Sequence, residues 1–93
     1  MLNIAILDAK TLGTDIDLSI FNEYGEVEIY DTTKSSEVVD RIKDKDIIIA
    51  NKIFLNEDNL KEAHKLKLIC ISATGTNNVD LNYTNKREIM VTN

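Results

Sequence analysis

Leu66-Lys67-Leu68-Ile69-Cys70-Ile71-Ser72-Ala73-Thr74-Gly75-Thr76-Asn77-Asn78-Val79-Asp80 is the stretch from which the rest of the chain is read. Its apolar run, Leu68-Ile69-Cys70-Ile71, has the length and composition of a buried strand. The chain then turns small and polar around Gly75, and Asp80 is a good N-cap for the segment that follows. Strand, tight glycine loop, helix start: in open α/β sheets ligands sit at such junctions, because loops at the carboxyl ends of the strands line the crevice.

Upstream, Asp46-Ile47-Ile48-Ile49-Ala50 is too continuously apolar for a strand with one wet face. A parallel strand covered on both sides reads this way. Leu2–Leu7, ended by Asp8, is a similar run, and Val27–Tyr30 alternates like a more exposed strand. Ile89–Thr92 supplies a fifth. Helical segments fall between them. Leu18–Tyr24 is expected to be a short helix, stopped by Gly25 in the left-handed conformation that glycine tolerates. Ser35–Lys43 puts Val38, Val39 and Ile42 on one face, with Ser35 as its cap. Asn56 caps a helix running to about Lys65, with Leu55 and Leu60 at hydrophobic-staple spacing and Glu57 and Lys61 as an i,i+4 pair. Asp80 opens the last helix, to about Arg87.

Strands alternating with helices imply a parallel sheet with right-handed crossovers. Five strands predict a flavodoxin-like sheet of order 2-1-3-4-5 with helices on both faces. Such a fold normally adds a helix after its last strand. Here that strand is followed by Asn93 alone, so the C-terminal cover is expected to be missing and self-association through the uncovered surface is expected.

With 93 residues the chain makes one domain. A domain of this size buries about 60–65% of its unfolded surface, a modest core. Hydrophobic residues make up 43%, which places the chain among globular proteins. Only 5% are aromatic and Trp is absent, so the core must be built from Ile, Leu and Val. A net charge of −5 argues against a nucleic-acid partner or an anionic membrane surface. The single cysteine, Cys70, cannot form an internal disulfide, which favours a reducing compartment. Residues 1–7 lack the apolar run of a signal peptide, and no stretch approaches the roughly 20 apolar residues of a membrane span. A cytoplasmic location is expected.

The carboxyl ends of the first, third and fourth strands present Asp8-Ala9-Lys10, Asn51-Lys52 and Ala73-Thr74-Gly75. In the expected order these strands are neighbours, so their loops share one rim. Gly75 lets backbone approach a ligand without a Cβ in the way, and successive N–H groups there could bind an anion. Lys52 could add a positive charge, so a small carboxylate would suit the site. Plainer readings stand beside these. The glycine serves a turn, Lys52 is solvated, and Asp8 is a turn former or a site carboxylate, the turn being favoured. His64 lies late in a helix, where a histidine favours the dipole, and Cys70 is an inert packing residue. The chain has no Gly-x-Gly-x-x-Gly, Walker loop, zinc ligand set or Gly-x-Ser-x-Gly elbow. No complete catalytic constellation, cofactor site or metal site is expected within it.

Asn51-Lys52, Leu66-Lys67-Leu68-Ile69 and Ala73-Thr74-Gly75-Thr76-Asn77-Asn78-Val79-Asp80-Leu81 together resemble the N-terminal part of D-isomer-specific 2-hydroxyacid dehydrogenases, in particular the glycerate dehydrogenase (hydroxypyruvate reductase) branch. Ile89-Met90-Val91-Thr92-Asn93 fits the following strand of that family, so the resemblance covers essentially the whole chain. It implies that residues 1–93 are the first segment of a flavodoxin-like substrate domain, with the NAD-binding domain inserted later in the polypeptide. It also implies that backbone N–H groups at Thr74 and Gly75, beside Ala73, hold the substrate carboxylate, while Asn51 and Lys52 line the pocket. The implied reaction is hydride transfer between NAD or NADP and a 2-oxo acid such as hydroxypyruvate or glyoxylate. The family's catalytic Arg, Glu and His lie outside this sequence, so the chain alone is expected to be inactive and to bind no cofactor. Its expected partners are a small 2-oxo or 2-hydroxy acid and the rest of its own polypeptide.

Other readings are possible on the residues. A non-catalytic module binding a small carboxylate is one. A phosphorelay receiver needs an Asp ending the third strand, where this chain has Ala50-Asn51. A flavodoxin would lean on Thr11, Gly13 and Thr14, a loose match.

Overall fold

The computed structural model describes residues 2–12, 22–72 and 78–92. Five strands form one parallel sheet: β1 (Leu2–Ile6), β2 (Gly25–Ile29), β3 (Ile47–Ala50), β4 (Leu68–Ile71) and β5 (Met90–Thr92). Their order is β2-β1-β3-β4-β5, as the sequence predicts. The register is set by apolar residues: Ile4 faces Ile47, Ile6 faces Ile49, and Ile49 faces Cys70. Alternation along each strand sorts these side chains onto two faces. Ala5, Ile48, Ala50, Ile69 and Ile71 point to one core, which also takes Val38, Ile42, Leu55, Leu60, Ala63, Leu66 and Val79 from the connections. Ile4, Ile6 and Ile49 point to the other, with Ala9, Val27, Ile47 and Cys70.

The described helices are α1 (Val38–Ile42), α2 (Glu57–Leu60) and α3 (Leu81–Lys86), and all three contribute to the first core or pack against it. The helix expected at Leu18–Tyr24 falls largely on residues 13–21, outside the described residues. α1 follows a 3-10 turn at Ser35–Glu37. The cap position is Lys34 rather than Ser35: the Lys34 N–H donates to Glu37 Oε1 at 2.9 Å. Val38 and Ile42 are buried as expected, and Val39 is half-buried.

α2 is shorter than the expected Asn56–Lys65. Asn56 does cap it, accepting from the Asn59 N–H at 3.3 Å while Asn59 Oδ1 accepts from the Asn56 N–H at 3.0 Å. Leu55 and Leu60 are both fully buried beside it. Beyond Lys61, however, the bonds reach back three residues, from Ala63 N–H to the Leu60 carbonyl at 2.9 Å and from Leu66 N–H to the Ala63 carbonyl at 3.3 Å. Those two carbonyls also accept from the Arg87 guanidinium, at 3.1 and 2.9 Å, so a distant cation satisfies what another helical turn would have used. Among the described residues no ion pair joins Glu57 to Lys61.

Gly25 also differs from expectation. It opens β2 opposite Leu2 and does not end a helix in the left-handed region. A Cβ there would lie 2.0 Å from the Leu2 carbonyl oxygen, so glycine is required by the close approach of two strands. The left-handed conformation occurs at Glu88 (φ 60°), just past α3.

Candidate functional site

β1 is followed by Leu7, whose N–H donates to the Ile49 carbonyl at 3.0 Å and so extends the sheet by one bond. The chain then turns through Asp8 into a 3-10 turn at Ala9–Leu12. The turn's main-chain bond runs from Thr11 N–H to the Asp8 carbonyl at 3.0 Å, and the Thr11 hydroxyl donates to the same carbonyl at 2.7 Å. Asp8 is therefore the turn former that the sequence favours.

Its carboxylate has a second role. The side chain is buried, at 4% exposure, and points across to the loop leaving β3. Oδ1 accepts from the Asn51 N–H at 2.9 Å and Oδ2 from the Lys52 N–H at 2.7 Å. Two successive backbone donors aimed at one carboxylate are the charge-assisted arrangement that stabilises a buried anion.

The same loop is held from the other side by Asn78. Its Nδ2 donates to the Ile53 carbonyl at 2.7 Å and more weakly to the Asn51 carbonyl at 3.4 Å. Leu55 and Val79 form a parallel bridge, with Leu55 N–H on the Asn78 carbonyl and Asp80 N–H on the Leu55 carbonyl, both at 2.8 Å. Asp80 then caps α3 as expected, accepting from the Tyr83 N–H at 3.1 Å. The structure thus brings together the exits of β1 and β3 and the segment 78–80 that follows the glycine loop.

Asn51 and Lys52 lie on this rim. Ala73, Thr74 and Gly75, the other expected site residues, lie outside the described residues. Lys52 is exposed and, with Thr33, Val38, Phe54 and Asn59 among others, lines a hollow of about 230 Å³ between the loop and the start of α1. The Asn51 carboxamide is half-buried, and its Nδ2 donates to Thr11 Oγ1 at 3.0 Å.

Sequence reasoning missed Asn78 and Thr11 as holders of the loop. Thr11 had a local signal, since a hydroxyl three residues after an aspartate readily bonds back to its carbonyl. Asn78 had none beyond its place in the polar run. His64 is exposed and stands 4.0 Å from Glu62, away from the rim. Cys70 is half-buried on the sheet, and burial raises its thiol pKa, in keeping with a packing role. No described helix is long and apolar enough to cross a membrane.

At the end of β1, where a glycine-rich turn would offer N–H groups to a pyrophosphate, the chain places the Asp8 carboxylate, which takes the Asn51 and Lys52 N–H donors.

A parallel 2-1-3-4-5 sheet, with the exits of β1 and β3 joined to segment 78–80, defines a flavodoxin-like α/β domain whose candidate site is that rim. Residues 4–93 match the family described as "D-isomer specific 2-hydroxyacid dehydrogenase, catalytic domain", and the chain belongs to that family. It is 33% identical over 91 residues to a glycerate dehydrogenase of Methylorubrum extorquens, covering 97% of this chain and 28% of the relative. It is 31% identical over 96 residues to a hydroxypyruvate reductase of Blautia hydrogenotrophica, covering 99% and 30%. The chain thus spans under a third of the length of either relative. Its fold is similar to the crystal structure of an NAD+-bound 3-phosphoglycerate dehydrogenase from Entamoeba histolytica, with TM-score 0.78 and 24% identity over 97% of this chain and 32% of that one.

Proposed function

We propose that the chain forms the first segment of the substrate domain of an NAD- or NADP-dependent D-2-hydroxyacid dehydrogenase acting on hydroxypyruvate or glyoxylate. The observation that carries this reading is the match along nearly the whole chain to the family's catalytic domain, with glycerate dehydrogenase and hydroxypyruvate reductase among its relatives. In this proposal the cofactor is held by a later part of the polypeptide, where it supplies or accepts the hydride. The residues here bind and orient the oxo acid. Backbone N–H groups at Thr74 and Gly75 take its carboxylate, and the Lys52 ammonium adds positive charge at the edge.

The experiment is a rate assay on the full-length polypeptide, following oxidation of NADH and NADPH with hydroxypyruvate and glyoxylate. Turnover of at least one pair is expected. No turnover with any pair overturns the reading. The 93-residue chain, run beside it, is expected to be inactive, because hydride transfer needs both reactants held together. It is also expected to sediment as more than a monomer. An apolar hollow of about 220 Å³ lined by Leu2, Ile4, Tyr24, Ile47, Ile49, Leu68 and Cys70 opens on its second sheet face. Turnover by the 93-residue chain contradicts the division of labour, and a monomer contradicts the self-association.

A further inference from the structure

Among the described residues Asp8 is the one buried carboxylate. A turn former needs no such side chain, because the turn after β1 is closed by the Asp8 carbonyl. The carboxylate instead fills the pair of backbone donors exposed where β3 ends. Left empty, that pair would itself attract an anion. We infer that Asp8 is a positioning residue for substrate binding: it fixes the Asn51–Lys52 loop from behind and closes that loop's backbone to the substrate. This inference deepens the dehydrogenase reading and rests on it.

The bonds around Asn51 fix what the loop then offers. The Asp8 carbonyl can only accept, so the Thr11 hydroxyl must donate to it. Thr11 Oγ1 is therefore an acceptor toward Asn51, whose amide must turn its NH2 that way. The Asn51 N–H is taken by Asp8 and its carbonyl is approached by Asn78. Among the described residues no hydrogen bond takes Asn51 Oδ1 or the Lys52 ammonium, and these are the side-chain groups the loop offers a ligand. Both are aimed by a backbone that Asp8 holds at two consecutive residues, from a central strand.

The test is Asp8→Asn in the full-length polypeptide. The amide keeps the size of the carboxylate but sets an NH2 against one of the two N–H donors. Misplacement of a binding loop by about 1 Å can cost up to 10²-fold, so KM for the oxo acid is expected to rise about tenfold, with KM for the nicotinamide cofactor within about twofold. Hydrogen exchange at the Asn51 and Lys52 amides is expected to speed up about tenfold, one charge-assisted bond being lost. A folded D8N enzyme with unchanged oxo-acid KM, with both KM values raised alike, or with both amides still protected overturns the inference. Should D8N fail to fold, Thr11→Val takes its place. From an exposed position it removes the hydroxyl that accepts from the Asn51 amide and donates to the Asp8 carbonyl, while the Thr11 N–H still closes the turn, with an expected rise of about threefold in oxo-acid KM. An unchanged KM there overturns the inference as well. Wild-type rates keep the two readings apart: a wild type without turnover sinks the dehydrogenase assignment, whereas an active wild type with an indifferent variant sinks only the role of Asp8.

Discussion

Both carboxylate oxygens of Asp8 are bound to main-chain donors of another strand's loop, and Asn78 grips the same loop by its carbonyls. The loop after β3 is thus braced on two sides by side chains from β1 and from the segment beyond β4. Removing one brace has a calculable effect. Asn78→Ala deletes the bond to the Ile53 carbonyl and the longer one to Asn51, at a part-buried site. A cost of about 1–2 kcal/mol is expected, read as a lower urea midpoint at unchanged slope. An unaltered midpoint would show that water replaces the amide at no cost. Lys52 is exposed and lines the hollow beside this loop. Why the braces were hidden from the sequence is clear from their span. Asp8 finds its partners 43 and 44 residues away, and Asn78 reaches back 25 to Ile53. No local periodicity encodes a pairing of that kind. What could be read was the chemistry available at each strand end, and which strand ends would meet.

At the scale of elements, the starts of α2 and α3 were legible, as were the stops of α1 near Lys43 and α3 near Arg87, whereas the cap of α1 and the stop of α2 were not. Asn56 and Asp80 cap their helices as their identities suggest, since a side-chain acceptor followed by free N–H groups is a local matter. The end of α2 depends on Arg87, whose guanidinium bridges the Leu60 and Ala63 carbonyls and touches the Tyr83 hydroxyl at 2.7 Å. The end of α3 is a Schellman turn without its usual glycine. Glu88 N–H donates to the Asn85 carbonyl at 3.2 Å and Ile89 N–H to the Thr84 carbonyl at 2.9 Å, with Glu88 in the left-handed region. A side chain there costs about 1–2 kcal/mol, partly offset by the chain entropy that glycine brings. Glu88→Gly is therefore expected to stabilise the protein by up to about 1 kcal/mol, seen as a rise in Tm. A fall in Tm would mean that the Glu88 side chain contributes more than its backbone conformation costs. Gly25 shows the converse. Its identity suggested a helix stop, but the constraint comes from Leu2 on the neighbouring strand.

For the whole molecule, the sheet order was legible because a short apolar strand leaves few alternatives once helices alternate with it. Charge placement at the opposite end of the sheet was not. There Lys45 is 5% exposed, and its Nζ lies 2.6 Å from Glu28 and 3.0 Å from Asp44. Burial pulls the ammonium pKa down, but the two carboxylates outweigh it and the net shift is upward. Glu28, bonded by Lys45 and by the Tyr30 hydroxyl, and Asp44, bonded by Lys45, are both held below their ordinary values. The carboxylate contributions are present above the unfolded-state values and fade as pH falls through the lowered folded ones. The lysine contribution is full below its unfolded value and fades as pH rises through the raised folded one. Lys45→Met should therefore lower Tm most at neutral pH, with the difference from wild type narrowing toward both extremes. A difference that stays constant with pH would assign the loss to packing alone.

β1 carries a last consequence, for the order in which the chain can acquire its shape. It is made first, yet it lies inside the sheet between β2 and β3. During synthesis its second edge has no partner until Ile47–Ile49 have left the ribosome, and the Asp8 carboxylate waits for Asn51 and Lys52 just beyond them. The nascent chain must carry this strand half-paired for that interval, and each parallel pairing requires a long loop to close first. Proline is absent from the sequence, so no slow prolyl isomerisation is added to the wait. Until β3 arrives, the open edge of β1 is the surface on which a chaperone or a neighbouring nascent chain competes with the native partner.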